Sequence, residues 1–198
     1  ILKDLEIFKE AELAYHKAIE LNPNFAEAHL NLGIILTDLG KSREALDSYF
    51  QVIRINPKYP NIYSYITEFI RDSDPSKFIK SKLKNILNLL LERNDISHKE
   101  LINAFNFAYS KELITNLKKL ESNFYTQELL INNKFIINAL KKIIFCNIEL
   151  ERLLTKLRGI ICHRIAKNIE TINYSALQFI IALGEQCFLN EYVYSLTE

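Results

Sequence analysis

The sequence holds no methionine and no tryptophan, and its 198 residues include only four glycines, four prolines and three cysteines. So few Gly and Pro leave too few turn signals for a chain of many short strands, so an all-α fold is expected. Cys146, Cys162 and Cys187 are widely spaced and form no CxxC pair. That pattern excludes a disulfide framework and fits a reducing compartment, with the cytoplasm as the expected location. No uninterrupted apolar run reaches the roughly 18 residues a membrane span needs. Neither sign of charge dominates: 25 basic and 24 acidic residues leave a formal net charge of +1. No long-range field would therefore steer the chain to nucleic acid or an anionic membrane, and neither is expected as a partner. Ile1 is not a natural start and Met is absent throughout, so the sequence reads as part of a longer protein whose native N-terminus is missing, and targeting stays undetermined.

What the sequence does have is 48% hydrophobic residues, enough for a real core, and one stretch with internal logic. From Ala26 to Tyr59 it carries Leu32-Gly33 and Leu36, then Gly40, Ala45, Tyr49 and Pro57. Gly33 and Ala45 are small where two antiparallel helices approach, and Tyr49 supplies one large ring beside them. Gly40 suits the end of the first helix because glycine accepts positive φ, and Asn56-Pro57 ends the second. A Leu-Gly pair, an Ala-x3-aromatic pair and a terminal Pro at these spacings resemble the tetratricopeptide repeat (TPR) family. His29 departs from that pattern, which favours Trp there, and Leu36 stands where it favours Tyr.

The shift that carries Ala11 onto Ala45 aligns Ile1, Leu2, Asp4, Leu5, Glu10, Tyr15, Ile19, Asn22 and Pro23 with identical residues at Ile35, Leu36, Asp38, Leu39, Glu44, Tyr49, Ile53, Asn56 and Pro57. Residues 1–25 thus read as a partial repeat, with Ile1 in the middle of its first helix, and 26–59 as a full one. Residues 60–74 read as a degenerate capping helix, with Ile62, Tyr63, Ile66 and Ile70 on one face, before Arg71-Asp72-Ser73-Asp74-Pro75 breaks the pattern. The expected organisation is a TPR helix–turn–helix solenoid over 1–74, followed by a non-repeating helical bundle over 75–198.

In that second region Phe78, Leu83, Ile86, Leu87, Leu90 and Leu91 form a helical stripe. Ser97 and Glu100 have capping-box spacing before Leu101, and an amphipathic segment is expected from Lys111 to Leu120. Further helices are expected over Thr126–Phe145, Ile148–Ile165 and Tyr174–Tyr192.

Chemistry is sparse. The three cysteines lack ligand spacing, and Cys162-His163 are adjacent and so point about 100° apart on a helix; buried packing is expected for the cysteines, with no metal site. His16, His29 and His98 are isolated and read as surface or core-edge residues. No nucleophile elbow surrounds any Ser or Cys, and Gly33, Gly40, Gly159 and Gly184 are too scattered for a phosphate loop. Glu149 and Glu151, near Arg152 and Arg158, read as surface ion pairs. No catalytic residue is assigned, so whether the parent protein is an enzyme stays open.

The resemblance to TPR proteins implies a protein or peptide ligand on the concave face of the first helices, where Glu27, Leu30, Asn31, Ile34 and Asp38 are expected. Asn31 carries a donor and an acceptor able to pair with any peptide backbone. In similar arrays, including those of protein glycosyltransferases, an Asn here recurs as a ladder; in this sequence Tyr65 takes the next place. A second resemblance rests on Glu149–Arg158 and Gln186–Tyr194, which look like the helical segment before the catalytic module of bacterial TPR-containing methyltransferases. It implies that S-adenosylmethionine would bind a downstream module, with no cofactor held in this chain. A pure scaffold, or attachment to a glycosyltransferase or sulfotransferase, are the alternatives.

Overall fold

The computed structural model describes residues 2–122, 131–166 and 174–191. Among them every regular element is helical: α1 (Leu2–Leu21), α2 (Ala26–Asp38), α3 (Ser42–Ile55), α4 (Ile62–Asp72), α5 (Lys80–Leu91), α6 (Ile102–Ser122), α7 (Lys134–Lys142), α8 (Ile148–Ala166) and α9 (Tyr174–Glu191). Short 3-10 turns at Pro75–Lys77 and His98–Leu101 complete them. The chain divides into two compact units, Ile1–Lys82 and Leu83–Glu198.

In the first unit, α1 to α4 pack in sequence, each on the next. The α2–α3 pair closes through Gly40, whose φ of +71° lies in the left-handed region that glycine enters without steric cost. Leu32, Leu36, Ala45, Leu46, Tyr49 and Val52 are buried between the two helices. The repeat also shows in polar contacts that recur one repeat later. His29 donates from Nε2 to the Pro23 carbonyl at 3.0 Å, and Tyr63 donates from its hydroxyl to the Pro57 carbonyl at 3.0 Å. Asn22 accepts from the Asn24 amide at 3.2 Å, and Asn56 from the Lys58 amide at 3.0 Å. His29 is therefore no neutral departure: like Tyr63, it ties the start of a first helix to the end of the preceding one.

One placement is corrected. A repeat register with Ile1 in mid-helix implies a turn near Glu6, the position equivalent to Gly40, yet α1 runs unbroken from Leu2 to Leu21. Glu6 has a Cβ, which resists the left-handed conformation, so nothing reverses the chain there. Ala11 and Tyr15 lie half-buried on this single helix.

In the second unit α5 buries Leu83, Ile86, Leu87, Leu90 and Leu91 of the expected stripe, whereas Phe78 precedes the helix and packs on Phe69 within the first unit. Phe105 lies 5.1 Å from Tyr109, 5.8 Å from Phe135 and 5.9 Å from Phe145, centroid to centroid, and anchors an aromatic cluster. α6 packs on α8, and α9 on both α7 and α8. Several boundaries differ from expectation. The Lys111–Leu120 segment is part of the longer α6. Ser97 precedes the 3-10 turn but its side chain makes no cap bond, so the capping box does not form. The expected Thr126–Phe145 helix is cut at Asn133, whose side chain accepts from the Ile136 amide at 3.2 Å and starts α7, while Ile143 turns extended. Residues 126–130 of that expectation lie outside the described residues, as does Tyr192 at the end of the last expected helix.

Candidate functional site

Asp38 closes α2 and Ile34 sits one turn before it; their repeat equivalents, Glu68 and Asp72, occupy the corresponding places on α4. All four line one depression of about 310 Å³, together with Thr37, Tyr49, Tyr65, Phe69, Ser73, Asp74 and Lys77. A local twist positions α4: Asn61 adopts φ 57°, a left-handed conformation that asparagine tolerates better than most residues, and starts the helix.

The wall behind the depression is closely packed. Gly33 stands against the Tyr49 ring, and Thr37 donates to the Gly33 carbonyl at 2.9 Å while its hydroxyl lies 3.3 Å from that of Tyr49. Tyr49 packs on Phe69 at 5.3 Å, and Phe69 on Phe78 at 5.6 Å. Burial pushes the Tyr49 phenol up; the Thr37 contact opposes this and the Asp38 charge adds to it, so Tyr49 is a neutral wall.

The rim is acidic. The Arg71 guanidinium, at 2.7 Å and 2.8 Å from the two Asp72 oxygens, holds that carboxyl below its ordinary range. Asp74 accepts from the Ser76 amide at 2.9 Å and hydroxyl at 2.8 Å, which lowers its pKa as well.

The expected groove residues separate into two groups. Ile34 and Asp38 line the depression. Asn31 is half-buried one turn away, Glu27 is exposed in the first turn of α2, and Leu30, at 7% exposure, belongs to the core. The α4 contributors Tyr65, Glu68 and Asp72 were not singled out together by the sequence, although the repeat shift from Asn31, Ile34 and Asp38 points to them.

Elsewhere, Cys146 and Cys162 are exposed free thiols, which corrects the expectation of buried packing: both fall outside the apolar stripes of their segments. The Cys187 side chain lies outside the described residues. Glu149 pairs with Lys118 of α6 at 2.6 Å. In the Glu149–Arg158 motif Leu150, Leu153, Leu154 and Leu157 are buried, so helix packing accounts for the pattern. The Gln186–Tyr194 motif extends past Glu191, and its last three residues lie outside the described residues. Among the described residues no helix is long and apolar enough to cross a membrane.

Helices that repeat equivalent positions, with a depression lined from α2 and α4, define a helical repeat module within the Ile1–Lys82 unit. Tetratricopeptide repeats are detected here: the tetratricopeptide repeat family matches residues 26–59, and a second TPR repeat family matches residues 2–40. No solved structure matches the chain.

Proposed function

We propose that this chain is a protein- or peptide-binding module whose ligand lies along α2 and α4, acting as a non-enzymatic scaffold. The observation that carries the reading is that Ile34 and Asp38 share one depression with their repeat equivalents Glu68 and Asp72. A stripe of equivalent positions on successive helices is the geometry an extended chain needs, because a periodic surface can meet a periodic backbone. Asn31, one turn from Ile34 on α2, extends the stripe with a donor and an acceptor.

Peptides selected by display against the protein, titrated into isotope-labelled protein, test this. Shifts should concentrate at Ile34, Tyr65 and Glu68, and Asn31→Ala should weaken binding without lowering the melting temperature. Selected peptides that perturb only the Leu83–Glu198 unit would remove the assignment. The role as recognition and linker part of an S-adenosylmethionine-dependent methyltransferase is a proposal resting on two short sequence motifs. Calorimetric titration of the full-length parent protein with S-adenosylmethionine would have to show binding for that role to displace the scaffold reading.

A further inference from the structure

We infer that the depression between α2 and α4 selects a basic segment, seating a lysine or arginine side chain between its carboxylates and the Tyr65 ring; this rests on the peptide-binding reading above. The lining holds four carboxylates, Asp38, Glu68, Asp72 and Asp74, against the single cation Lys77. The whole chain is balanced at 25 basic to 24 acidic residues, so this excess is a property of the site. Two of the four are already engaged, Asp72 by Arg71 and Asp74 by Ser76. Asp38 and Glu68 line the depression from neighbouring first helices, and among the described residues neither side chain forms a hydrogen bond or ion pair.

The apolar part of the site has the matching chemistry. Tyr65 is 41% exposed at the position equivalent to Asn31, and an exposed aromatic face attracts an ammonium or guanidinium. The buried rings of Tyr49 and Phe69 form the floor on which the aliphatic stem of such a side chain can lie. A volume of about 310 Å³ suits one long side chain with its flanking backbone and not a folded surface. An acidic ligand would meet uncompensated like charge in the same place.

Three fluorescent dodecapeptide pools, identical except for a central Lys-Arg, Gln-Gln or Glu-Glu pair, test the inference by anisotropy against the intact protein. The basic pool should bind about tenfold tighter than the neutral pool, an advantage equal to ~1.4 kcal/mol. The advantage should shrink as salt rises from about 50 to about 500 mM. The double variant Asp38→Asn with Glu68→Gln, at exposed positions that leave the fold unchanged by melting, should abolish the advantage of the basic pool over the neutral one. Equal affinity of the basic and neutral pools, with shifts still at Ile34 and Tyr65, overturns the charge selection and leaves the peptide-binding reading standing. Failure of all three pools to bind overturns both.

Discussion

The Tyr49 ring occupies the space a side chain at Gly33 would need: a Cβ on Gly33 would fall 2.7 Å from Cε1 and 2.9 Å from Cδ1. The ring cannot move freely, since Phe69 also packs against it at 5.3 Å. Gly33→Ala would gain up to ~1 kcal/mol of helix propensity, but overpacking of this kind costs ~1–3 kcal/mol. We expect a net loss of about 1 kcal/mol in urea unfolding. Shrinking the ring in Gly33→Ala/Tyr49→Leu should restore part of it, so a coupling energy near zero in the double-mutant cycle would sink the account.

Ala45 is fully buried at 0% exposure on the α3 side of the same interface. Ala45→Leu should destabilise by about 1–3 kcal/mol, because three added carbons overpack a fully buried site. Unchanged thermal stability would show that the helix pair can separate without cost.

Gly40 is a different case, since a Cβ there would meet nothing within 4 Å. Only its φ of +71° penalises substitution. Gly40→Ala should cost ~1 kcal/mol or slightly more, and Gly40→Asn less, because asparagine visits the left-handed region more readily. If both variants unfold at the wild-type midpoint, the turn is relaxing to another conformation.

These three positions were legible in the sequence because their constraints are local: one pair of helices within a single repeat, with fixed small and large partners. The end of α1 was not, since ten identities favoured a turn near Glu6 while a single missing glycine decided against it. Within 126–145 the apolar pattern runs straight through Asn133, and only the hydrogen bond it accepts from Ile136 reveals the break. Half of the candidate site was readable as Ile34 and Asp38. The α4 wall is legible only through the repeat shift from α2, which points to Tyr65, Glu68 and Asp72 but not to the left-handed Asn61 that starts the helix.

His98 in the second unit gives a pH prediction. Its imidazole is held below the ordinary 6.5 by burial first and by the Lys142 ammonium second, with the Leu90 and Arg93 carbonyls opposing. Between 6.5 and the lowered folded value, the unfolded chain takes up a proton that the folded chain refuses. The contribution is thus fully present above that window and is lost as pH falls through it. Urea midpoints should decline on acidification there, and His98→Gln should flatten the decline; an unaltered slope would assign it to other groups.

Lys142 of α7 reaches the far end of α5, where its ammonium donates to the Leu91 carbonyl, the Arg93 carbonyl and the Asn94 side-chain oxygen, each at 2.8 Å. The last carbonyls of a helix have no partner within it, and a cation there also meets the negative end of the helix dipole. Burial lowers the Lys142 pKa and the Glu92 charge opposes that. Lys142→Met keeps the aliphatic stem and removes the donors, so the loss should be about 1.5–3 kcal/mol, the range for hydrogen bonds from a charged group. The effect should also be local. The Glu92 and Arg93 amides, bonded to the Leu89 and Leu90 carbonyls at 3.3 Å and 3.1 Å, should exchange faster with solvent, while the Leu39 amide at the end of α2 should not change. Equal protection of Glu92 and Arg93 in the variant would mean that α5 holds its end without the lysine.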